Sequence, residues 1–313
     1  MAHRVLIVAD VEGWAYWKRA CALKKYAPED FEVTVRCDVN KPPEHELWKY
    51  DLVYLLDYAL ANVWKNAMKR AAGDVPFVVS YNKDRGSRTR QFRATMKHAD
   101  FVVINNHDAY QFALSQGHRN VCNISNGVDT DVYRLITPIK DRALKAVWSG
   151  STGTVKMKNY TNVLLPLVEA AKEIGVECEF RGIDEIDERV WSAEQMVQSY
   201  NSASFVINAA NSEGTPNGIL EGMACGCVPV TTYVANVKEF GKDGVNCVLC
   251  QPHVESFMNG LRMAIAWREE ISRQAHNTIQ RWSYKFRSAY FFALFRNLIA
   301  GEKVKPFSYL RFE

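Results

Sequence analysis

Residues 213–229 read EGTPNGILEGMACGCVP, and two acids eight positions apart, Glu213 and Glu221, frame the stretch. Upstream lies FVINAANS (205–212), an apolar run ending in small polar residues; downstream lies VPVTTYV (228–234). Strand, polar turn, helix and strand form the βαβ unit of a parallel sheet. Ligands of such sheets bind outside the carboxyl ends of the strands, where this turn falls. Amides at a helix start suit a phosphate, and Gly214 and Gly218 allow it to approach closely. A carboxylate facing phosphate is repelled, so the two acids are assigned to sugar hydroxyls flanking it. The ordinary alternative is that Glu221 forms a helical ion pair and Glu213 caps the turn.

The same rhythm runs outward in both directions. Before it come VLIVA, FEVTVR, DLVYLL, PFVVS, FVVIN and VCNIS, with helix-like segments such as WAYWKRACALKKY and ANVWKNAMKRAA between them. The second half repeats the alternation from LKAVWS to VNCVLC. RLITPIKDR breaks the periodicity with a proline, which predicts a linker near Ile136–Arg142. The expected architecture is α/β, with two Rossmann-like domains facing a central cleft, residues 1–138 and 139–284. KFRSAYFFALFRNLIAGEKVKPFSYLRF departs from the rhythm and is rich in aromatics, with Phe286, Tyr290, Ala293, Leu294 and Leu298 at helical spacing. Residues 285–313 are expected to pack back on the first domain rather than on a membrane surface.

Composition fits a globular protein of two domains: 313 residues, 48% hydrophobic and 24% charged. No apolar run approaches the ~18 residues that span a bilayer, and MAHRVLIVADVEGW lacks a signal-peptide layout. The eight cysteines sit in apolar runs; Cys225, Cys227, Cys247 and Cys250 read as reduced core thiols rather than a zinc site. A cytoplasmic location is expected, with peripheral membrane attachment as the alternative. Residues 1–140 hold 20 Lys+Arg against 16 Asp+Glu and carry the whole net charge of +4. Much of that excess lies in NKDRGSRTRQFRATMK; a solvated helix face is the ordinary reading of such a run, and its place after a strand at Pro76–Ser80 adds an anionic ligand as the alternative.

Four stretches, in order, resemble the retaining nucleotide-sugar glycosyltransferases of the GT-B fold, of the family-4 type (glycosyl transferases group 1). SNGVDTDVY (125–133) is similar to the interdomain signature usually written PNGVD. VWSGSTGTVKMKN (147–159) is similar to the strand, Gly-Arg and Lys that open the second domain, and EGTPNGILEGMACGCVPV to the paired-glutamate motif. EFGKDGVNCVLC (239–250) matches a downstream Glu and Gly-x-Asn-Gly type loop. The resemblance is strongest over residues 100–285.

The resemblance implies roles residue by residue. Glu221 would bind the ribose, Glu213 would lie at the reacting centre, and the backbone of Thr215, Pro216, Asn217, Gly218 and Ile219 would hold the sugar and phosphate. Lys156 would neutralise the leaving diphosphate, a fixed cation doing what a metal does elsewhere. No cofactor and no obligatory metal are implied, and stereochemistry would be retained. Three departures stand out. The family's arginine after Gly150 falls at Ser151, leaving Lys158 or Arg181, next to Gly182, as substitutes. The first-domain histidine has no counterpart beside Asn82 and Lys83, and His107 more plausibly starts the next helix. The paired glycines of the first loop are reduced to Gly13, with Trp14 beside it facing the acceptor or the core.

The sequence therefore predicts a UDP- or GDP-sugar donor and a hydroxyl acceptor near Gly13, Trp14, Asn82, Lys83, Arg85, Arg88 and His107. Basic residues there favour an anionic acceptor, either a lipid-linked saccharide or nucleic acid carrying a hydroxymethylated base. A non-catalytic nucleotide-sugar-binding protein is the competing class.

Overall fold

The computed structural model describes residues 2–37, 40–82, 89–151, 155–183 and 191–309. The chain divides into two compact units: residues up to Asn126 together with those from Tyr284 on, and Gly127–Ser283.

In the first unit, β1 (His3–Val8), α1 (Ala15–Lys25), β2 (Phe31–Arg36), α2 (Glu44–Leu47), β3 (Leu52–Leu55) and α3 (Ala61–Ala71) alternate. They are followed by β4 (Phe77–Tyr81), α4 (Thr89–His98), β5 (Phe101–Ile104), α5 (His107–Ser115) and β6 (Val121–Asn123). The second unit runs β7 (Ala143–Ser151), α6 (Val155–Lys158), α7 (Leu165–Lys172), β8 (Glu177–Ile183), α8 (Ala193–Ser202) and β9 (Ala203–Asn208). It continues with α9 (Asn217–Ala224), β10 (Val228–Thr232), α10 (Val237–Phe240), β11 (Val248–Cys250), α11 (Val254–Ala266) and α12 (Arg268–Gln280). α13 (Tyr284–Ile299) and β12 (Phe307–Ser308) return to the first unit.

Every strand pairing is parallel. The first sheet has the order β12-β6-β5-β4-β3-β1-β2 and the second β11-β10-β9-β7-β8. Each thus places its second strand outside its first and its third strand on the first strand's other side. The order reverses between β1 and β3 in one sheet, and between β7 and β9 in the other. Those two reversals are where a doubly wound sheet opens a crevice for a ligand.

Both faces of the first sheet are covered, which is why its strands read as continuous apolar runs. Leu6, Val53, Val79 and Val102 pack on one face with Trp64 and Met68 of α3 and Phe92 and Met96 of α4. Val5, Ile7, Tyr54 and Val103 pack on the other with Leu23 of α1 and Phe291, Phe292 and Phe295 of α13. Each such buried side chain contributes roughly 1.5–3 kcal/mol, so α13 is part of this core.

Two expectations are corrected. The buried face of α13 comprises Tyr284, Arg287, Ser288, Phe291, Phe292, Leu294 and Phe295, while Phe286 is 59% exposed. Tyr290 and Leu298 of the expected stripe pack against this core while partly buried, and on the buried face the Arg287 guanidinium stacks on the Tyr309 ring 3.9 Å from its centroid. The crossing into the second unit falls at Asn126/Gly127, ahead of the expected boundary at 138/139. Residues 134–142 are docked onto the second unit. The buried Arg142 donates to the carbonyls of Thr137 (2.8 Å), Tyr200 (3.1 Å), Ala203 (3.0 Å) and Cys225 (2.6 Å). Asn201 Oδ1 accepts from the Ile136 amide at 2.8 Å. The proline-bearing stretch is therefore a clamp on α8, β9 and α9.

Candidate functional site

The second unit's order reversal lies beyond the carboxyl ends of β7 and β9. The chain leaves β7 through Gly150, where a Cβ would meet the Trp148 indole at 2.7 Å. Glycine is required there because the indole occupies the space on that face of the strand. α6 then delivers Lys158, and Asn159 follows in the left-handed region (φ +53°). Asparagine tolerates that conformation. Its side chain explains the strain, since Nδ2 donates to Ala209 O at 2.8 Å and Oδ1 accepts from Asn211 Nδ2 at 3.2 Å. The Asn211 amide also donates to Met157 O at 2.9 Å. These bonds pin the segment after β7 to the loop after β9.

Across that seam, Lys158 Nζ forms an ion pair with Glu213 Oε1, the lysine 21% and the acid 11% exposed. Both charges are largely withdrawn from water, which strengthens their attraction over that of a surface pair. Lys158, one of the two substitutes expected for the missing arginine, thus meets Glu213. The side chains of Ser151, Lys156 and Arg181 lie outside the described residues, as does that position of Gly182 beyond its backbone in β8.

Glu221 follows on α9, which opens with tight turns from Thr215 to Ile219. Asn217 N donates to Thr215 O and Ile219 N to Pro216 O, both at 2.9 Å. Gly218 is needed because a Cβ there would meet Ser149 Oγ at 2.8 Å and Tyr200 Oη at 3.4 Å. This close approach brings Ser149 within 2.9 Å of the Tyr200 hydroxyl, which donates to Glu221 Oε2 at 3.2 Å. Tyr133 faces the same carboxylate, its ring centroid 6.4 Å from that of Tyr200. Burial, with the Glu221 charge adding, pushes both phenols well above their ordinary pKa. Both therefore stay protonated, and the Glu221 carboxylate is an acceptor for hydroxyl donors.

Tyr200, Ser149 and Asn159 were not singled out by sequence. Tyr200 stands on a helix whose buried face also holds Met196 and Val197, so its pattern reads as core. Only the fold reveals the acid beside it. Cys225, Cys227, Cys247 and Cys250 are buried thiols. Burial raises Cys227, Cys247 and Cys250 to about 12, so they are protonated and unreactive.

In the first unit, Gly13 (φ +81°) turns the chain from β1 into α1 and leaves Trp14 41% exposed. Asn82, just past β4, is buried. Its Oδ1 accepts from Arg19 (3.1 Å) and Ser80 (2.8 Å), and its Nδ2 donates to Leu56 O (3.1 Å). That amide is therefore an internal brace. His107 opens α5 and lies 3.1 Å from Gln111 Nε2. Lys83, Arg85 and Arg88 lie outside the described residues.

Residues 168–266 match the model of a family described as glycosyl transferases group 1. No curated protein matches the chain by sequence. Among solved structures, Anabaena HepE in complex with UDP is 15% identical with a TM-score of 0.68, covering 94% of this chain and 100% of that one. The sucrose-phosphate synthase of Thermosynechococcus elongatus is 12% identical, TM-score 0.68, covering 96% and 100%. A variant of S. aureus TarM, in complex with UDP, Fondaparinux and α-GlcNAc-glycerol, is 12% identical, TM-score 0.63, covering 78% and 56%. The chain shares the fold of these proteins.

Proposed function

Because the chain has the GT-B glycosyltransferase fold and carries the group 1 glycosyltransferase pattern over residues 168–266, we propose that it transfers a sugar from a UDP-sugar to a hydroxyl acceptor with retention. The observation that carries this reading is the Lys158–Glu213 ion pair, with Glu221 held by Tyr200 at the same sheet edge. UDP rather than GDP is favoured because HepE and TarM are solved with UDP.

In this reading the Glu221 carboxylate accepts hydrogen bonds from the ribose hydroxyls. Glu213 lies beside the donor sugar, and Lys158 exchanges part of its contact with Glu213 for the diphosphate. As the sugar C1–O bond breaks, negative charge grows on the diphosphate, and a fixed cation stabilises it without rearranging. The acceptor oxygen attacks C1 from the face the diphosphate leaves, and its proton passes to the departing phosphate oxygen. Configuration is retained and no metal is obligatory. Lys156 would add a second cation if the resemblance at that position holds.

A thermal-shift comparison tests the donor. A ligand bound only by the folded state raises the melting temperature, by an amount equivalent to about 2.7 kcal/mol at a hundred times its Kd. UDP is expected to raise it, GDP to do so far less, EDTA to change neither response, and Glu221→Ala to abolish the UDP response. A larger response to GDP than to UDP would overturn the assignment of the base.

A further inference from the structure

The two acids of the second unit are given different kinds of partner. Glu213 meets a cation, the ammonium of Lys158. Glu221 meets two phenols that arrive from separate parts of the chain. Tyr200, on α8, donates from Oη to Glu221 Oε2 at 3.2 Å. Tyr133, from the segment ahead of β7, is hydrogen-bonded to the same carboxylate. A phenol has one proton to give, and that of Tyr200 goes to Glu221. The 2.9 Å contact between Ser149 Oγ and Tyr200 Oη is therefore one in which the serine donates. Ser149 on β7, Tyr200 and Glu221 thus form a directed chain that ends on the acid. Tyr200 is fully buried and Tyr133 is 5% exposed, whereas Glu221 is half-buried and retains accessible surface.

The choice of phenols has a physical consequence. A lysine or arginine in their place would hold the acid but offset its charge. Neutral hydroxyls hold it and leave the charge whole, so a hydroxyl arriving from a ligand forms a charge-assisted hydrogen bond. They also remove the rotamer freedom that binding would otherwise have to remove from a glutamate. The rings themselves are fixed: they meet edge to face with centroids 6.4 Å apart, and both side chains are walled in by burial. Gly218 keeps the first turn of α9 close above Ser149 and Tyr200, where a Cβ would intrude at 2.8 and 3.4 Å.

Resting on the donor role given to Glu221 above, we propose that Tyr133 and Tyr200 are positioning residues for recognition of the ribose, with Ser149 supporting Tyr200. They touch neither the nucleotide nor the reacting bond. Their hydroxyls aim the Glu221 carboxylate, and their contribution to affinity exists only when the nucleotide carries ribose hydroxyls for that carboxylate to accept.

Calorimetric titration of the full chain with UDP and with 2′,3′-dideoxy-UDP tests it. The second probe keeps the base and the diphosphate and lacks both ribose hydroxyls. Tyr200→Phe and Tyr133→Phe should each weaken UDP about tenfold and leave the affinity for 2′,3′-dideoxy-UDP within twofold of the parent's. Binding of the dideoxy probe also shows that the variants fold. Ser149→Ala, a milder change that keeps both phenols, should weaken UDP about threefold with the same indifference to the dideoxy probe, and it carries the comparison if a phenylalanine variant does not fold. The proposal is overturned if UDP binds the parent and the variants alike. It is equally overturned if the variants lose both nucleotides to the same extent, because the phenols would then serve the packing of α8 and α9 alone. In either case UDP binding by the parent leaves the donor reading standing. Failure of UDP to bind the parent would remove the donor reading and this assignment with it.

Discussion

Two sheets of the same strand order carry opposite chemistry at their order reversals. Beyond β7 and β9 stand Lys158, Glu213 and Glu221, with Tyr200 and Tyr133 turned onto the last acid. Beyond β1 and β3 stand Asp10 and Asp57. Topology decides where a ligand can bind in each unit, because helices leave the two central strands in opposite directions there. Charge decides what that ligand is. A diphosphate needs a cation and a ribose needs acceptors, and only the second unit pairs the two among the described residues. The first places two carboxylates there, with the buried Arg19 spent on neutral oxygens of Ser80, Asn82 and Tyr54.

The largest expected effect comes from breaking the cation–acid pair. Lys158→Met and Glu213→Gln should each lower turnover by roughly 10²–10³-fold, the scale seen when one group stabilising a transition-state charge is removed. The double variant should be little worse than either single one, since residues acting as a unit are non-additive. If the pair were only structural, each change would cost about 3–5 kcal/mol of stability, as when one partner of a buried pair is removed, and leave the turnover of the folded protein nearly intact. Steady-state kinetics beside thermal melts separates these outcomes.

A packing change should follow in size and touch one unit alone. Gly222, next to Glu221, lies against β9, where an added Cβ would meet Val206 side-chain carbons at 2.7 to 2.9 Å. Gly222→Ala is expected to cost about 1–3 kcal/mol by overpacking and to shift α9, weakening UDP binding. An unchanged UDP response in a destabilised variant would show that the placement of α9 does not set donor affinity.

The second unit's side of this contrast was legible in the sequence because its key groups are linked by short covalent spacings. Glu213 and Glu221 share one loop and helix, and Lys158 lies within the VWSGSTGTVKMKN stretch. Their partners were not legible. Tyr200 reaches Glu221 only through the close approach that Gly218 permits, a contact between residues 21 positions apart on different helices. The crossing at Asn126/Gly127 was hidden for a similar reason. Arg142 satisfies carbonyls up to 83 positions away, and a flexible-looking linker becomes part of a core. β12 was missed because a two-residue strand has no periodicity; it is fixed by β6 and by Ser308 Oγ donating to Asn123 Oδ1 at 2.9 Å. Asp10 was passed over because one acid after a strand carries no pattern, and only its Oδ1, buried with no hydrogen-bond partner among the described residues, marks it out.

The smallest expected effect is a difference in sign with pH. Burial raises the Asp10 carboxyl above its ordinary value of 3.8, and the Asp57 charge adds to this; the Val11 and Asp10 amides pull the other way without cancelling it. The folded chain therefore holds this proton more tightly than the unfolded one. Stability from this group is complete below about pH 3.8 and is lost as pH rises through the raised folded value. Asp10→Asn removes the titration and keeps the shape. Its melting temperature should match the parent's in acid and exceed it at neutral pH. Melting curves across the acid range check this. A variant less stable than the parent at neutral pH would show that the Asp10 charge serves the fold.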